Sequence, residues 1–240
     1  MKRSLTLLVT AGPTREPIDP VRFVSNYSSG ILGHALVDVA RRRGHRVVFV
    51  TGPTGLPAPR GAKTIAVETA LQMQAALERE FPKADALIMA AAVADFRPVR
   101  AAAQKIKRSG VAGGIKFWRL DLVENPDIVA GLATRRTHQV VVGMALETAN
   151  GLRNARAKLR AKQLDAIVLT QQVGHRAPFG NTVVDGAILD RAGAVASFRR
   201  LAKSALAQRM VATVERLASK RRFGVIGSSL RRSSRRKAGD

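Results

Sequence analysis

Between Thr10 and Gly33 the chain reads TAGPTREPIDPVRFVSNYSSGILG, and its polar residues are of the kind that hold a phosphate. Ser28-Ser29-Gly30 precedes an apolar-periodic segment, so the serines can cap a helix. Gly30 and Gly33 permit close backbone approach, and the unpaired N–H groups at the positive end of a helix favour an anion. Ser-Ser-Gly-x-x-Gly is a loose variant of the dinucleotide fingerprint, and such a turn also occurs as plain architecture. The insert before it carries Arg15, Arg22 and Asn26 and is longer than a turn needs, which argues for a ligand.

Three further groups could do chemistry. Met89-Ala90-Ala91-Ala92 leaves space for a flat ligand, and Asp95, the first carboxylate after it, can accept from a ribose or base or can serve as a turn aspartate. Lys105, Lys107 and Arg108 are bounded by Gly110, Gly113 and Gly114, a pattern of loops that close over phosphates and also of solvated charge runs. Lys158 and Lys162 stand at i,i+4 and share a helix face, as a surface pair or as partners of phosphate.

These residues need strands and helices to bring them together. Continuous apolar runs predict buried strands at Leu5–Val9, Arg46–Val50, Ala86–Ala90, Gln139–Met144 and Ala166–Leu169, with a short one at Thr64–Val67 and one near a sheet edge at Ile115–Leu122. Apolar spacing of three and four predicts helices over Ser29–Arg43, Thr69–Phe81 and Gly151–Gln163. Asn125-Pro126-Asp127 reads as a helix start with Asn125 at the cap, and its N–H groups could meet a ligand. Val183–Leu189 and Ala194–Phe198 predict a terminal hairpin, followed by a closing helix over Leu201–Leu217. Alternating strands and helices predict an α/β, Rossmann-like three-layer fold with a mostly parallel sheet and a C-terminal β-hairpin.

The net charge is +24; from Lys220 to Asp240 eight Lys or Arg face one acid, which places +7 there and leaves +17 in residues 1–219. We therefore divide the chain into a domain, 1–219, and a basic tail poor in apolar residues, 220–240, expected to be disordered. Aromatic residues are 4% of the chain, too few for single-strand stacking platforms, so an anionic small molecule accounts for the charge better than nucleic acid. With no cysteine, disulfides, thiolate zinc sites and a protein cysteine nucleophile are excluded. No apolar run reaches the roughly 20 residues of a membrane span, so a cytoplasmic protein is expected.

Taken in order, TAGPTREPIDPVRFVSNYSSG, AAVADFRP, QKIKR, LVENPDIVAGL and VGMALET resemble phosphopantothenoylcysteine synthetase, the phosphopantothenate-cysteine ligase of coenzyme A biosynthesis, over about residues 5–217. In many bacteria this enzyme follows a flavin-dependent decarboxylase; the present sequence resembles the ligase alone, and no flavin is expected. The resemblance implies a homodimer that activates 4'-phosphopantothenate with CTP, or ATP, to an acyl-nucleotide and then transfers the acyl group to L-cysteine, with Mg²⁺ accompanying the triphosphate and no protein metal site.

Carried over by position, the resemblance implies that Asn26 orients the intermediate and that Lys105 neutralises the triphosphate. Met89, Ala90, Ala91, Asp95, Pro126, Asp127, Ile128, Val129 and Met144 would surround the nucleotide. Lys158 and Lys162 would meet its phosphates, while Arg22, Ser28, Ser29 and Gly30 would hold the substrate phosphate. The chain departs from the family at Ile31-Leu32 in place of Lys-Met and at Met144 in place of Phe. It departs again at Thr170-Gln171-Gln172-Val173 in place of Asn-Asp-Val, and at Thr182 and Val184 in place of Asp and Asn, which leaves CTP against ATP open. An NAD(P) reductase would want a tighter Gly-x-Gly-x-x-Gly and an acid after the second strand, where Thr51 stands.

Overall fold

The structure is a computed structural model that describes residues 3–107, 118–171, 180 and 182–236, with side chains up to 221. Six strands form its parallel core: β1 (Thr6–Ala11), β4 (Arg46–Thr51), β5 (Lys63–Ala66), β6 (Ala86–Met89), β9 (Val140–Glu147) and β10 (Ala166–Gln171). The hairpin β11 (Val184–Asp190) and β12 (Val195–Leu201) adds two antiparallel strands beside β10, giving the order β12-β11-β10-β9-β6-β1-β4-β5. Within the parallel core the order reverses between β1 and β6, the switch point beside which open α/β sheets bind ligands.

Alternation along β1 sorts the core into two layers. Leu7 and Val9 face α1 (Ile31–Arg42) and α5 (Lys203–Arg236) through Leu36, Val37, Leu206 and Met210. Leu8 faces the layer of α2 (Ala70–Glu80), α3 (Ile128–Arg135) and α4 (Gly151–Ala161) through Met73, Leu77, Leu132 and Leu159. Two short antiparallel pairs project from the loops: β2 (Arg15–Pro17) with β3 (Phe23–Ser25), and β7 (Phe96–Pro98) with β8 (Leu122–Glu124). Among the described residues no helix is long and apolar enough to cross a membrane.

Several local expectations change. Gly30, at φ 74 in the left-handed region, is the N-cap of α1, and no side chain caps it, so the two serines do not act as caps. The cap of α3 is Asp127, whose carboxylate accepts from Ala130 N at 3.1 Å; Asn125 instead donates to Ala94 O at 2.9 Å and accepts from Arg97. Of the strand expected at Ile115–Leu122, residues 115–117 lie outside the described residues and Trp118–Asp121 is irregular, since pairing with Phe96–Pro98 selects Leu122–Glu124.

The final helix passes residue 219 and runs to Arg236. Arg221, placed in the tail by composition, bonds the Asp165 carboxylate and the Gln139 carbonyl. Charge pairing with a buried acid therefore keeps at least this residue in the domain.

Candidate active site

Four hydrogen bonds join the end of β1 and the loop after it to the loop after β6. Ala92 N donates to Gly12 O at 2.9 Å and Thr14 N to Ala92 O at 3.2 Å, while the hydroxyls of Thr10 and Thr14 accept from Ala91 N and Ala94 N, each at 3.0 Å. Both threonines are wholly buried, so their polar groups are satisfied inside the floor of the site.

On the α3 side of this floor lies a cavity of about 500 Å³. Met89, Ala91 and Met144 form its apolar base, and Pro126, Asp127, Ile128 and Val129 bring the first turn of α3 to its wall. Asp95 is exposed at its rim, next to Asn125, whose amide holds the Asp95 carbonyl at 2.8 Å. Lys162 also lines it, with Nζ 2.8 Å from Asp127. Ala90 does not line it and packs instead against the opposite layer.

A second cavity, about 210 Å³, opens on the α1 side. Ser28, Ser29 and Gly30 line it together with Thr170, Val184 and Lys203. The two cavities share Ala91 and Met144, so they meet over the carboxyl end of the sheet. Asn26 lies in an open groove contiguous with the second cavity through Ser28 and Ser29, and its amide donates to Val93 O at 2.9 Å.

Arg22 and Lys158 are engaged elsewhere. Arg22 Nε donates to Asp19 at 3.0 Å, its Nη2 bonds Asp19 and also Ile106 O at 2.8 Å, and its guanidinium stacks 5.3 Å from the Trp118 ring centroid. Asp19 in turn accepts from Ile106 N at 3.1 Å. Both polar groups of the Ile106 peptide are thus gripped, which holds exposed Lys105 and Lys107 on either side of it. Arg108 lies outside the described residues. Lys158 pairs with Glu147 at 2.7 Å; burial opposes ionisation of Glu147, but Lys158 and Asn154 outweigh it and hold the carboxyl below its ordinary value.

The Arg22 side chain, with amides of Ile106, Val21 and Arg22, holds the Asp19 carboxyl far below the usual carboxylate range despite its burial. A lowered folded-state pKa stabilises the fold above the unfolded value, near pH 4, and that contribution falls away in acid. Asp19→Asn is accordingly expected to melt below the wild type at pH 7, with the gap narrowing by pH 3. A gap of equal size at both pH values in thermal melts would contradict the assignment.

Lys203 and Asp19 are the site-side residues that motif reasoning misses. Lys203 stands about 170 residues from Ser28 at the first position of a helix, with no local pattern to mark it. Asp19 could be found only by asking what partners Arg22.

Residues 3–217 match the family described as DNA/pantothenate metabolism flavoprotein C-terminal domain. The chain is 44% identical over 216 residues to the coenzyme A biosynthesis bifunctional protein CoaBC of Mycobacterium tuberculosis, covering 85% of this chain and 50% of that protein. The chain thus spans about half the length of the curated relatives it matches. The solved C-terminal domain of a CoaBC protein superposes with a TM-score of 0.76 at 32% identity, covering 91% of this chain and 97% of that one. A Cab2 variant in complex with phosphopantothenate-cysteine shares the fold, at TM-score 0.66 and 17% identity over 95% of this chain and 90% of that one.

Proposed function

Because the chain belongs to the family of the DNA/pantothenate metabolism flavoprotein C-terminal domain, we propose that it joins 4'-phosphopantothenate to L-cysteine through an acyl-nucleotide. The observation that carries this reading is the pair of cavities meeting at Ala91 and Met144 beside the switch point of the sheet. One has the size and helix end suited to a nucleotide, the other a helix end and a lysine suited to an anionic acyl substrate. The structure of a Cab2 variant holding phosphopantothenate-cysteine supports the choice of product.

In the first step a carboxylate oxygen of 4'-phosphopantothenate attacks the α-phosphorus of CTP or ATP and pyrophosphate leaves. In the second, the cysteine amine attacks the acyl carbon, the nucleoside monophosphate leaves with the bonding pair, and the amine proton passes to solvent. Asp95 takes hydrogen bonds from the nucleotide, the first turn of α3 faces it, and Lys162 meets phosphate at its edge. Lys105, held by the Asp19–Arg22 grip on Ile106, neutralises the triphosphate. Lys158 contributes by fixing Glu147 at the end of β9.

Among the described residues no three His, Asp or Glu side chains gather to cage a metal. Mg²⁺ would therefore come in on the triphosphate, held largely by its oxygens and water, where it would screen the charge of the phosphates. Homodimerisation belongs to the same proposal. Val21 and Phe23 in and beside one small sheet, and Phe96, Val99, Leu122 and Val123 in and beside the other, are exposed, an apolar surface suited to a second copy.

The test is incubation of the purified chain with 4'-phosphopantothenate, Mg²⁺ and either CTP or ATP, with and without cysteine, read by mass spectrometry. Acyl-nucleotide and pyrophosphate are expected without cysteine, and phosphopantothenoylcysteine with it. A folded protein that consumes neither nucleotide would sink the reading.

A further inference from the structure

We infer that Lys203 binds the phosphate of the acyl substrate in the cavity at the amino end of α1; this rests on the ligase reading and adds a binding residue to it. Lys203 follows β12 after a single residue, Ala202, and opens α5. Packing of α5 against α1 through Leu206 and Met210 on Leu36 and Val37 brings its amine to the cavity lined by Ser28, Ser29 and Gly30.

The surroundings of this amine are one-sided. Among the described residues no carboxylate forms an ion pair with Lys203, and no Asp or Glu lines its cavity. Residues 172–181, which precede β11, contain no acid at all. Among the described residues its one protein acceptor is the Gly180 carbonyl, which takes one of three ammonium protons. Burial alone lowers its pKa, the mark of a cation taken partly out of water without a compensating charge. Other buried charges are matched, as Glu80 is by Lys63 and Asp190 by Arg216. An ammonium left unmatched in this way is costly, and an anion entering the cavity would remove the cost.

Across the cavity the first turn of α1 presents backbone N–H groups with Gly30 as a cap that lacks a side chain. Donors line both walls and charge is positive on both. At about 210 Å³ the space suits a phosphate monoester, while the larger cavity beyond Ala91 and Met144, at about 500 Å³, has more room for a nucleotide.

The full chain and its Lys203→Met and Lys203→Arg variants would be titrated calorimetrically with 4'-phosphopantothenate, with pantothenate lacking the phosphate, and with CTP. Lys203→Met is expected to weaken 4'-phosphopantothenate about 30-fold, the size of one lost charge-assisted hydrogen bond. Lys203→Arg should recover most of that loss, while pantothenate and CTP bind each variant as they bind the wild type. A structural role would weaken all three ligands and would not spare CTP, and that result overturns the inference. So does unchanged affinity of Lys203→Met for 4'-phosphopantothenate, or no binding of it by the wild type. A wild type that binds 4'-phosphopantothenate but fails the turnover assay overturns the ligase reading alone, and the affinity ratio still decides the role of Lys203.

Discussion

Asn26→Ala is expected to lower kcat/KM for ligation about 100- to 1,000-fold, the effect of removing one preorganised donor from a developing oxyanion. Asn26 donates to Val93 O at 2.9 Å, a bond that ties the loop after β3 to the loop after β6. Its amide has a second proton to give, and an acyl oxygen in the groove it shares with Ser28 and Ser29 would receive it. The loss should fall on the cysteine-dependent half: pyrophosphate release persists, and acyl-nucleotide accumulates. Rapid-quench analysis with and without cysteine separates the two halves. Equal loss in both would move Asn26 from orienting the acyl group to shaping the floor of the site.

Gly52→Ala is expected to lower stability by more than about 3 kcal/mol, the cost of forcing a side chain into packed backbone. A Cβ at residue 52 would stand 1.7 Å from Pro13 O and 2.7 Å from Pro13 C, so the loop after β4 and the loop after β1 would have to part. Gly52 N donates to Ala11 O at 3.0 Å, which places this contact at the carboxyl edge that carries the site. For a domain of this size the change corresponds to a melting point lower by about 10 °C. Gly55→Ala, where a Cβ meets nothing within 4 Å, is the matched control and should melt with the wild type. If Gly52→Ala and Gly55→Ala melt together, the two Gly-Pro-Thr turns do not touch as described.

Those two turns illustrate what was legible beforehand. Gly12-Pro13-Thr14 and Gly52-Pro53-Thr54 each follow an apolar run, so both fall at strand ends by period and turn chemistry alone. That they interlock depends on β1 and β4 being neighbours, a long-range pairing. The same distinction separates Lys158 in α4 from Lys162, its C-cap residue. Helical spacing predicts Lys158 and Lys162 on one face, but the end of β9 offers Glu147 to the first and the cap of α3 offers Asp127 to the second. Only Lys162 lines the larger cavity. Likewise Asn125 has every local mark of a cap, yet Asp127 takes that role because its carboxylate reaches the third amide of α3.

Taken alone, the sequence determined the order of the main-sheet strands and the helices, the family resemblance, and the loops that line the cavities at the carboxyl end of the sheet. Those properties are local: apolar period, turn residues and helix ends are written within a few positions of one another. Tertiary structure alone decided which charges remain available. Arg22 goes to Asp19 and Ile106, Arg221 goes to Asp165, and Lys203 is left facing a cavity with no acid among its described lining residues. Each outcome turns on partners about 60 to 170 residues away, or on a neighbour whose role shows only once the chain is folded. A cation's free energy is set by the nearest opposite charge and by its exposure to water, and no spacing rule along the chain reports either.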